Sequence, residues 1–121
     1  KGNRCYNLGK AIKEAVESFP KDVKVAVVGT GGMSHQLQGP RAGLINVDYD
    51  MRWLDSMIAN PESIKDISVT ELIRETGSEG AEVIMWLMMR GAMNEKVKEI
   101  YRFSHVPISN THYALTILEN Q

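Results

Sequence analysis

The chain lacks the features that mark several protein classes. Its 121 residues contain one cysteine, Cys5, so an internal disulfide is impossible and no cysteine pair is available to bind a metal. Basic and acidic side chains nearly balance, 14 against 15, which leaves no excess of positive charge to neutralise the phosphates of a nucleic acid. The longest apolar run, residues 83–89, is too short to cross a bilayer, and no signal peptide opens the chain. We therefore expect a protein of the reducing cytoplasm that binds neither nucleic acid nor membrane.

What the chain does have is the composition of one folded domain. Apolar residues make up 43% and charged residues 24%, both close to globular averages. A chain of this length buries about two thirds of the surface that it exposes when unfolded. There is therefore room for a sizeable core, but not for two full domains.

The apolar pattern predicts an α/β fold. The spacing of apolar residues predicts four helices, over residues 5–19, 50–59 and 79–93 and a short one that opens at Ser68. Residues 23–28 are nearly continuously apolar, which is typical of a strand buried on both faces. Residues 97–106 form a second extended pattern, and residues 113–118 a short apolar element of undetermined type. We expect helices packed on a small mixed sheet.

A long glycine-rich loop, residues 29–43, follows the predicted strand, and loops of this length are usually functional. The dinucleotide fingerprint needs glycine or alanine where Ser34 stands, and no Walker sequence is present, so nucleotide binding is a remote alternative. His35 lies at the carboxyl end of the predicted strand, where α/β sheets bind ligands. Its imidazole suits a general acid or base, although a surface histidine is an equally good interpretation of its position.

Glu82 lies in the first turn of the most apolar predicted helix. A buried, ionised carboxylate needs compensation, either by a metal, by an arginine or by the helix N-terminus. The other interpretation is a partly exposed residue that the helix dipole favours in the first turn. The pattern alone leaves both interpretations open.

The remaining polar candidates are weaker. The three histidines, His35, His105 and His112, show no ligand spacing with one another or with a carboxylate, so no complete iron site of two histidines and one carboxylate can be predicted. The polar sequence 109–111 (Ser-Asn-Thr) follows an extended segment. Turn chemistry explains it, and hydrogen bonding to a substrate is the more specific alternative.

Three stretches carry a family resemblance, namely GTGGMSHQLQGPRAGLINVDYDMRWLD, GSEGAEVIMWLMMRGAM and HVPISNTHYALTILENQ. They resemble the C-terminal part of the catalytic β subunit in the family of protocatechuate 4,5-dioxygenases and gallate dioxygenases, which are class III extradiol ring-cleaving enzymes. The resemblance covers nearly the whole chain, and the first two motifs are long and specific. It implies an α/β enzyme that holds non-haem Fe(II) with two histidines and one glutamate and cleaves the ring of a catechol with O₂.

The resemblance also implies roles for individual residues. His35 in the MSHQLQGPRAG motif corresponds to the active-site acid/base, and Glu82 corresponds to the iron-binding carboxylate. Ser109, Asn110 and Thr111 fall where the family contacts the carboxylate of its substrate, without one of them being singled out. The implied partners are a catechol-type aromatic acid, O₂, further copies in a homo-oligomer and a small helical α subunit.

The chain departs from the family in one respect. The family's two iron-binding histidines lie in an N-terminal region without a counterpart in residues 1–121, and none of the three histidines matches them. We therefore expect residues 1–121 to be the C-terminal part of a catalytic domain, which binds no iron and is inactive without the missing N-terminal part. The alternative is a non-catalytic binding or structural module that kept the fold after losing both histidines. The sequence upstream of Lys1 would discriminate between the two.

Overall fold

The computed structural model describes all residues, 1–121, as four α-helices, two short 3₁₀ helices and one β-hairpin. In chain order these are α1 (Gly2–Glu17), α2 (Val47–Ala59), a 3₁₀ helix (Pro61–Ser63), α3 (Val69–Thr76), a second 3₁₀ helix (Gly80–Ile84), α4 (Met85–Gly91), β1 (Val97–His105) and β2 (Tyr113–Asn120). The α/β combination of helices with a small sheet is confirmed. None of the helices combines the length and apolar character that a membrane span requires.

Local sequence signals set where two of the helices begin. The side chain of Asn46 accepts a hydrogen bond from the Tyr49 N–H at 3.2 Å and caps α2. The Ser68 hydroxyl accepts one from the Glu71 N–H at 3.1 Å and caps α3, as its capping-box spacing predicts. Each cap satisfies a backbone donor that the first turn of a helix leaves unpaired.

The core lies where α2, α3 and α4 meet. Its buried apolar members are Met33, Trp53, Leu54, Met57, Ile67, Leu72, Val83, Trp86 and Leu87. Helix α1 packs along α4 at very short range, because a Cβ at Gly9 would overlap the Met88 carbonyl and one at Gly91 would overlap the Tyr6 carbonyl. Glycine at both positions allows the two backbones to touch.

The sequence predicts one helix over residues 79–93, and its seven consecutive apolar residues, 83–89, predict burial on nearly all sides. The structure differs on both points. A 3₁₀ turn forms first and α4 begins only at Met85, because the loop residues hold the first turn: the Gly80 N–H donates to the His35 carbonyl at 3.1 Å. Only one face of the helix is buried, the face that carries Trp86, Leu87 and Arg90. The buried Arg90 guanidinium donates to three carbonyls, those of Met57, Asn94 and Glu95, and its burial lowers its pKa.

The two extended elements near the C-terminus pair into an antiparallel hairpin. Its register runs from Val97 opposite Asn120 to His105 opposite Tyr113, with an irregularity between Glu99 and Tyr101. The element of undetermined type is therefore β2. The sheet contains these two strands only and is antiparallel throughout, rather than mixed.

The prediction of a buried strand at residues 23–28 is wrong, and this is why the sheet is not mixed. Residues 20–32 make no backbone–backbone hydrogen bond. Residues 23–28, which lie within this stretch and are here called the apolar segment, are therefore unpaired. Val28 is 79% exposed and Val23 and Val25 are also exposed. A groove of about 480 Å³ is lined by this segment, α4 and β2. β-Branched residues therefore occur here without the ladder that would make them a strand.

Candidate active site

His35 is buried, and its surroundings fix both its backbone and its ring. Its N–H donates to the Thr76 carbonyl at 2.8 Å, and its own carbonyl accepts from the Gly80 N–H at 3.1 Å. The ring atom Nδ1 lies 2.8 Å from the Met33 carbonyl oxygen. Because a carbonyl can only accept, Nδ1 carries the proton in this contact, and Nε2 of the neutral ring keeps a free electron pair. His35 is therefore not the surface loop histidine that its position equally allowed.

Gly77 makes the contact between the His35 loop and the end of α3 possible. Its φ of 91° lies in the region that favours glycine, and a Cβ at this position would overlap the His35 carbonyl oxygen. The turn that ends α3 can therefore lie directly against the backbone of His35 only if residue 77 has no side chain.

Glu82 lies in the second 3₁₀ helix (Gly80–Ile84), and its side chain extends toward the ring of His35. Its Oε1 accepts a hydrogen bond from the Gly32 N–H at 2.7 Å and lies 3.7 Å from His35 Nε2. The side chain is 49% exposed, so the interpretation of Glu82 as a buried carboxylate is wrong. The alternative interpretation, a partly exposed first-turn residue, describes its burial correctly. What makes Glu82 distinctive is therefore its proximity to the free nitrogen of His35.

The polar turn at residues 109–111 is attached to His35 through the backbone. Thr111 pairs with His35 in an isolated antiparallel bridge. Ser109 and Asn110 are exposed, and Asn110 has a φ of 58° while its N–H donates to the Pro107 carbonyl at 3.2 Å. The structure thus brings the side chains of His35 and Glu82 together and places Thr111 beside His35 through the backbone. Ser109 and Asn110 are exposed in the turn that precedes Thr111.

A buried polar cluster behind His35 was not predicted from the sequence. It consists of Ser34, Asp50 and His112 and is here called the Ser34–Asp50–His112 cluster. The Asp50 Oδ2 accepts from the Ser34 hydroxyl at 2.6 Å, from the Ser34 N–H at 2.9 Å and from His112 Nδ1 at 2.6 Å. One signal was available for Asp50: it precedes Trp53, Leu54 and Met57 by three, four and seven residues, which puts it on the apolar face of its helix.

The ionisable groups with a shifted pKa near the site lie around it rather than within it. Burial, together with the negative charges of Glu71, Glu75 and Asp50, raises the pKa of Tyr49 to about 12. The hydrogen bond from the Ser78 hydroxyl lowers the pKa of the exposed Glu79. Four surface cavities of about 120–610 Å³ are lined by neither His35 nor Glu82.

The chain's own residues do not complete a metal site. No group of three or more His, Cys, Asp or Glu side chains is arranged to hold a metal ion. Glu82 fits a metal in part, because about half of its side-chain surface is exposed and its one hydrogen bond comes from the Gly32 N–H. The chain can therefore offer one carboxylate ligand beside an imidazole, and any further ligands must come from outside residues 1–121.

Comparison with known proteins identifies the class. The family model for the catalytic LigB subunit of aromatic ring-opening dioxygenases matches residues 1–115, so the chain belongs to this family. A gallate dioxygenase of Pseudomonas putida is 42% identical over 118 residues, which are 98% of this chain and 34% of the relative. The chain therefore spans about a third of the length of that curated relative.

Proposed function

We propose that residues 1–121 are the C-terminal part of the catalytic domain of a non-haem Fe(II) extradiol dioxygenase. The complete protein would cleave the aromatic ring of gallate, protocatechuate or a related catechol with O₂. The observation that carries the proposal is the pair formed by His35 and Glu82, in which a ring nitrogen of His35 lies 3.7 Å from the carboxylate of a half-exposed glutamate side chain. Membership of a ring-opening dioxygenase family gives this pair its chemical context.

His35 would act as the acid/base of the reaction. Its Nδ1 proton is held by the Met33 carbonyl, so Nε2 is the atom that can accept a proton from a catechol hydroxyl and later return one. Its backbone is fixed by Thr76 and Gly80, so the ring needs little reorganisation when a substrate arrives. A positioned imidazole of this kind contributes about 10²–10⁴-fold to a rate.

Glu82 would be the carboxylate ligand of Fe(II), with two histidines supplied by the part of the catalytic domain outside residues 1–121. The bound ion would supply the positive charge that holds the two catechol oxygens and O₂ close together. The Gly32 N–H orients the carboxylate through a 2.7 Å hydrogen bond to Oε1. Because it would supply one ligand only, the 121-residue chain is expected to retain no iron and to be inactive by itself.

Ser109, Asn110 and Thr111 would bind the carboxylate of the aromatic acid. The turn carries two hydroxyls and an amide, all capable of donating to an anionic oxygen. Its attachment to His35 through the Thr111 bridge would keep the acid/base and the substrate contacts in register. Further copies of the chain and a small helical subunit remain the expected protein partners.

The test separates iron binding from proton transfer in the complete protein. His35→Ala should keep iron and lose turnover by about 10²–10⁴-fold, because it removes the acid/base and leaves the ligands in place. Glu82→Ala should lose iron while the protein stays folded. Iron content, circular dichroism and formation of ring-fission product are measured for each variant.

His105→Ala is the matched control, because this exposed histidine lies on the hairpin against Tyr113 and outside the proposed site. It should leave both iron content and turnover unchanged. Loss of iron in His35→Ala would make His35 a ligand instead. A complete protein that holds no iron and cleaves no catechol would favour the non-catalytic module.

A further inference from the structure

We propose that Asp50 is a positioning residue for His35, acting through Ser34 and His112. The Ser34–Asp50–His112 cluster would hold the Met33 carbonyl where it accepts a hydrogen bond from His35 Nδ1–H. This hydrogen bond would keep Nε2 unprotonated and therefore reactive. The catalytic consequence rests on the proposed function, whereas the effect on the ring can be measured without it.

The first step in the argument is the convergence of donors on one oxygen. The Asp50 Oδ2 accepts three hydrogen bonds, from the N–H and hydroxyl of Ser34 and from His112 Nδ1, at 2.6–2.9 Å. Asp50 and His112 are each only 1% exposed, and Ser34 is completely buried. In a buried site, hydrogen bonds to an ionised acceptor are about twice as strong as neutral ones. The carboxylate therefore fixes Ser34 and the imidazole of His112 relative to each other.

The second step is the backbone that these two residues share with Met33. The Met33 N–H donates to the His112 carbonyl at 2.8 Å, and the His112 N–H donates to the Ser34 carbonyl at 3.1 Å. His112 thus pairs with both peptide groups that flank the Met33 carbonyl. Since that carbonyl accepts from His35 Nδ1 at 2.8 Å, its direction decides which ring nitrogen of His35 is protonated.

The third step concerns the negative charge of Asp50. Its Oδ1 is buried and has no hydrogen-bond partner. An asparagine could keep its carbonyl oxygen at the position of Oδ2, but its amide group would then stand at the position of Oδ1 with no acceptor. The first turn of α2, where Asp50 lies, favours an anion through the helix dipole. Asp50→Asn should therefore weaken all three hydrogen bonds while preserving the shape of the side chain.

The experiment uses the complete protein with Asp50→Asn, and Asp48→Asn as the matched control in the same helical turn, where the side chain is exposed. With iron bound, Asp50→Asn should lower kcat by about 10²-fold, with little change in KM or iron content, because the ring is misplaced rather than removed. In the iron-free, ¹⁵N-histidine-labelled protein, NMR should show a lower fraction of the Nδ1–H form of His35. The control should match the wild type in every measurement.

A double-mutant cycle with His35→Ala decides between positioning and general damage to the structure. If Asp50 acts through His35, then Asp50→Asn should cause little further loss of turnover when His35 is already alanine. An equal loss in both backgrounds, or an unchanged tautomer in the Asp50→Asn protein, would overturn the proposal. If Asp50→Asn does not fold, Ser34→Ala removes one donor to Oδ2 and is measured in the same way. A changed tautomer with unchanged turnover would uphold the positioning and overturn the acid/base role of His35.

Discussion

Two neighbouring stretches of the chain, the apolar segment (residues 23–28) and the loop at residues 31–36, differ sharply in how they are held. The apolar segment makes no backbone–backbone hydrogen bond and exposes Val23, Val25 and Val28. In the loop, backbone groups of the five residues 31–35 are hydrogen bonded to α2, α3, α4, the second 3₁₀ helix or His112, which directly precedes β2. Residues of this chain supply hydrogen-bond partners for the backbone of the loop, but not for the backbone of the apolar segment.

This difference shows that the contacts that position the site lie within the chain itself. The positions of His35 and Glu82 relative to each other follow from contacts within residues 1–121, so this chain sets their geometry by itself. The apolar segment has the β-branched composition of a strand but no strand beside it, and unpaired edges of this kind associate readily with other strands. We therefore expect the segment, rather than the loop, to depend on the remainder of the protein.

The largest loss of stability is expected at Gly77, which lies against the loop. Gly77→Ala places a methyl group against the His35 carbonyl and forces alanine to a φ of 91°. Strain in this backbone region costs roughly 1–3 kcal/mol, and the overlap adds to it, so we expect unfolding free energy to fall by about 3 kcal/mol or more. Urea unfolding measures the loss, and the His35 loop should lose hydrogen-exchange protection.

Gly43→Ala is the control for the strain at Gly77. Gly43 has a similar φ of 89°, but a Cβ there would meet no atom within 4 Å. It should therefore lose about 1 kcal/mol or slightly more, from backbone strain alone. Equal losses for the two variants would mean that the contact with the His35 carbonyl does not contribute.

The apolar segment should show its effect in association rather than in folding. The 121-residue chain should sediment as more than a monomer at micromolar concentration and bind a dye that reports exposed apolar surface. Val25→Lys should shift it toward monomer and reduce dye binding, because a charge opposes pairing at a strand edge. Its free energy of unfolding, measured on the dilute monomer, should change by no more than about 0.5 kcal/mol.

Val69→Lys is the matched control, because Val69 is also an exposed valine but lies at the start of α3. It should leave the sedimentation coefficient and dye binding as they are in the wild type. A wild-type chain that is monomeric and binds no dye would show that the segment needs no partner.

The smallest effect is expected at Tyr49, beside the Ser34–Asp50–His112 cluster. Its pKa is raised from 10.0 to about 12, mainly by burial, so between these two values the unfolded chain loses a proton that the folded chain keeps. Stability should therefore fall as pH rises from about 10 to 12. Because the side chain is only partly buried, the loss should be well below the full value of the shift.

Urea unfolding at pH 9 and pH 11.5 measures this loss, and Tyr49→Phe should reduce it. At pH 9 the variant should differ from the wild type by no more than about 0.5 kcal/mol. The same pH dependence in both proteins would assign the alkaline loss to other groups.

The sequence predicts well those features that local periodicity determines. Helices α1 and α2 follow from apolar spacing, and the start of α3 follows from the cap at Ser68. The apolar run at residues 23–28 predicts a strand buried on both faces, and the structure shows neither pairing nor burial, because both depend on neighbours that no local pattern specifies. The sequence left open whether Glu82 is buried or partly exposed, because a run of apolar residues does not show which face of a helix meets the core.

The candidate site was predicted unevenly for the same reason. His35, Glu82 and the turn at 109–111 were identified by the family resemblance, whereas position alone left their roles open. Asp50 and His112 are 62 residues apart, and no spacing rule joins them. Their contact exists only in the folded chain, although an aspartate on the apolar face of α2 was a sign that it needed a partner.

The bridge between His35 and Thr111 also bears on the order in which the molecule folds. It closes a loop that contains α2, α3 and α4, and the contact between Gly32 and Glu82 spans 50 residues. Closing a long loop costs chain entropy before the contact contributes any stabilisation, so such contacts form late. Helical turns form locally and therefore early. We expect the ring of His35 to reach its final orientation only after the chain has been synthesised through His112. A folding intermediate with all four helices in place would therefore still lack an ordered His35 side chain.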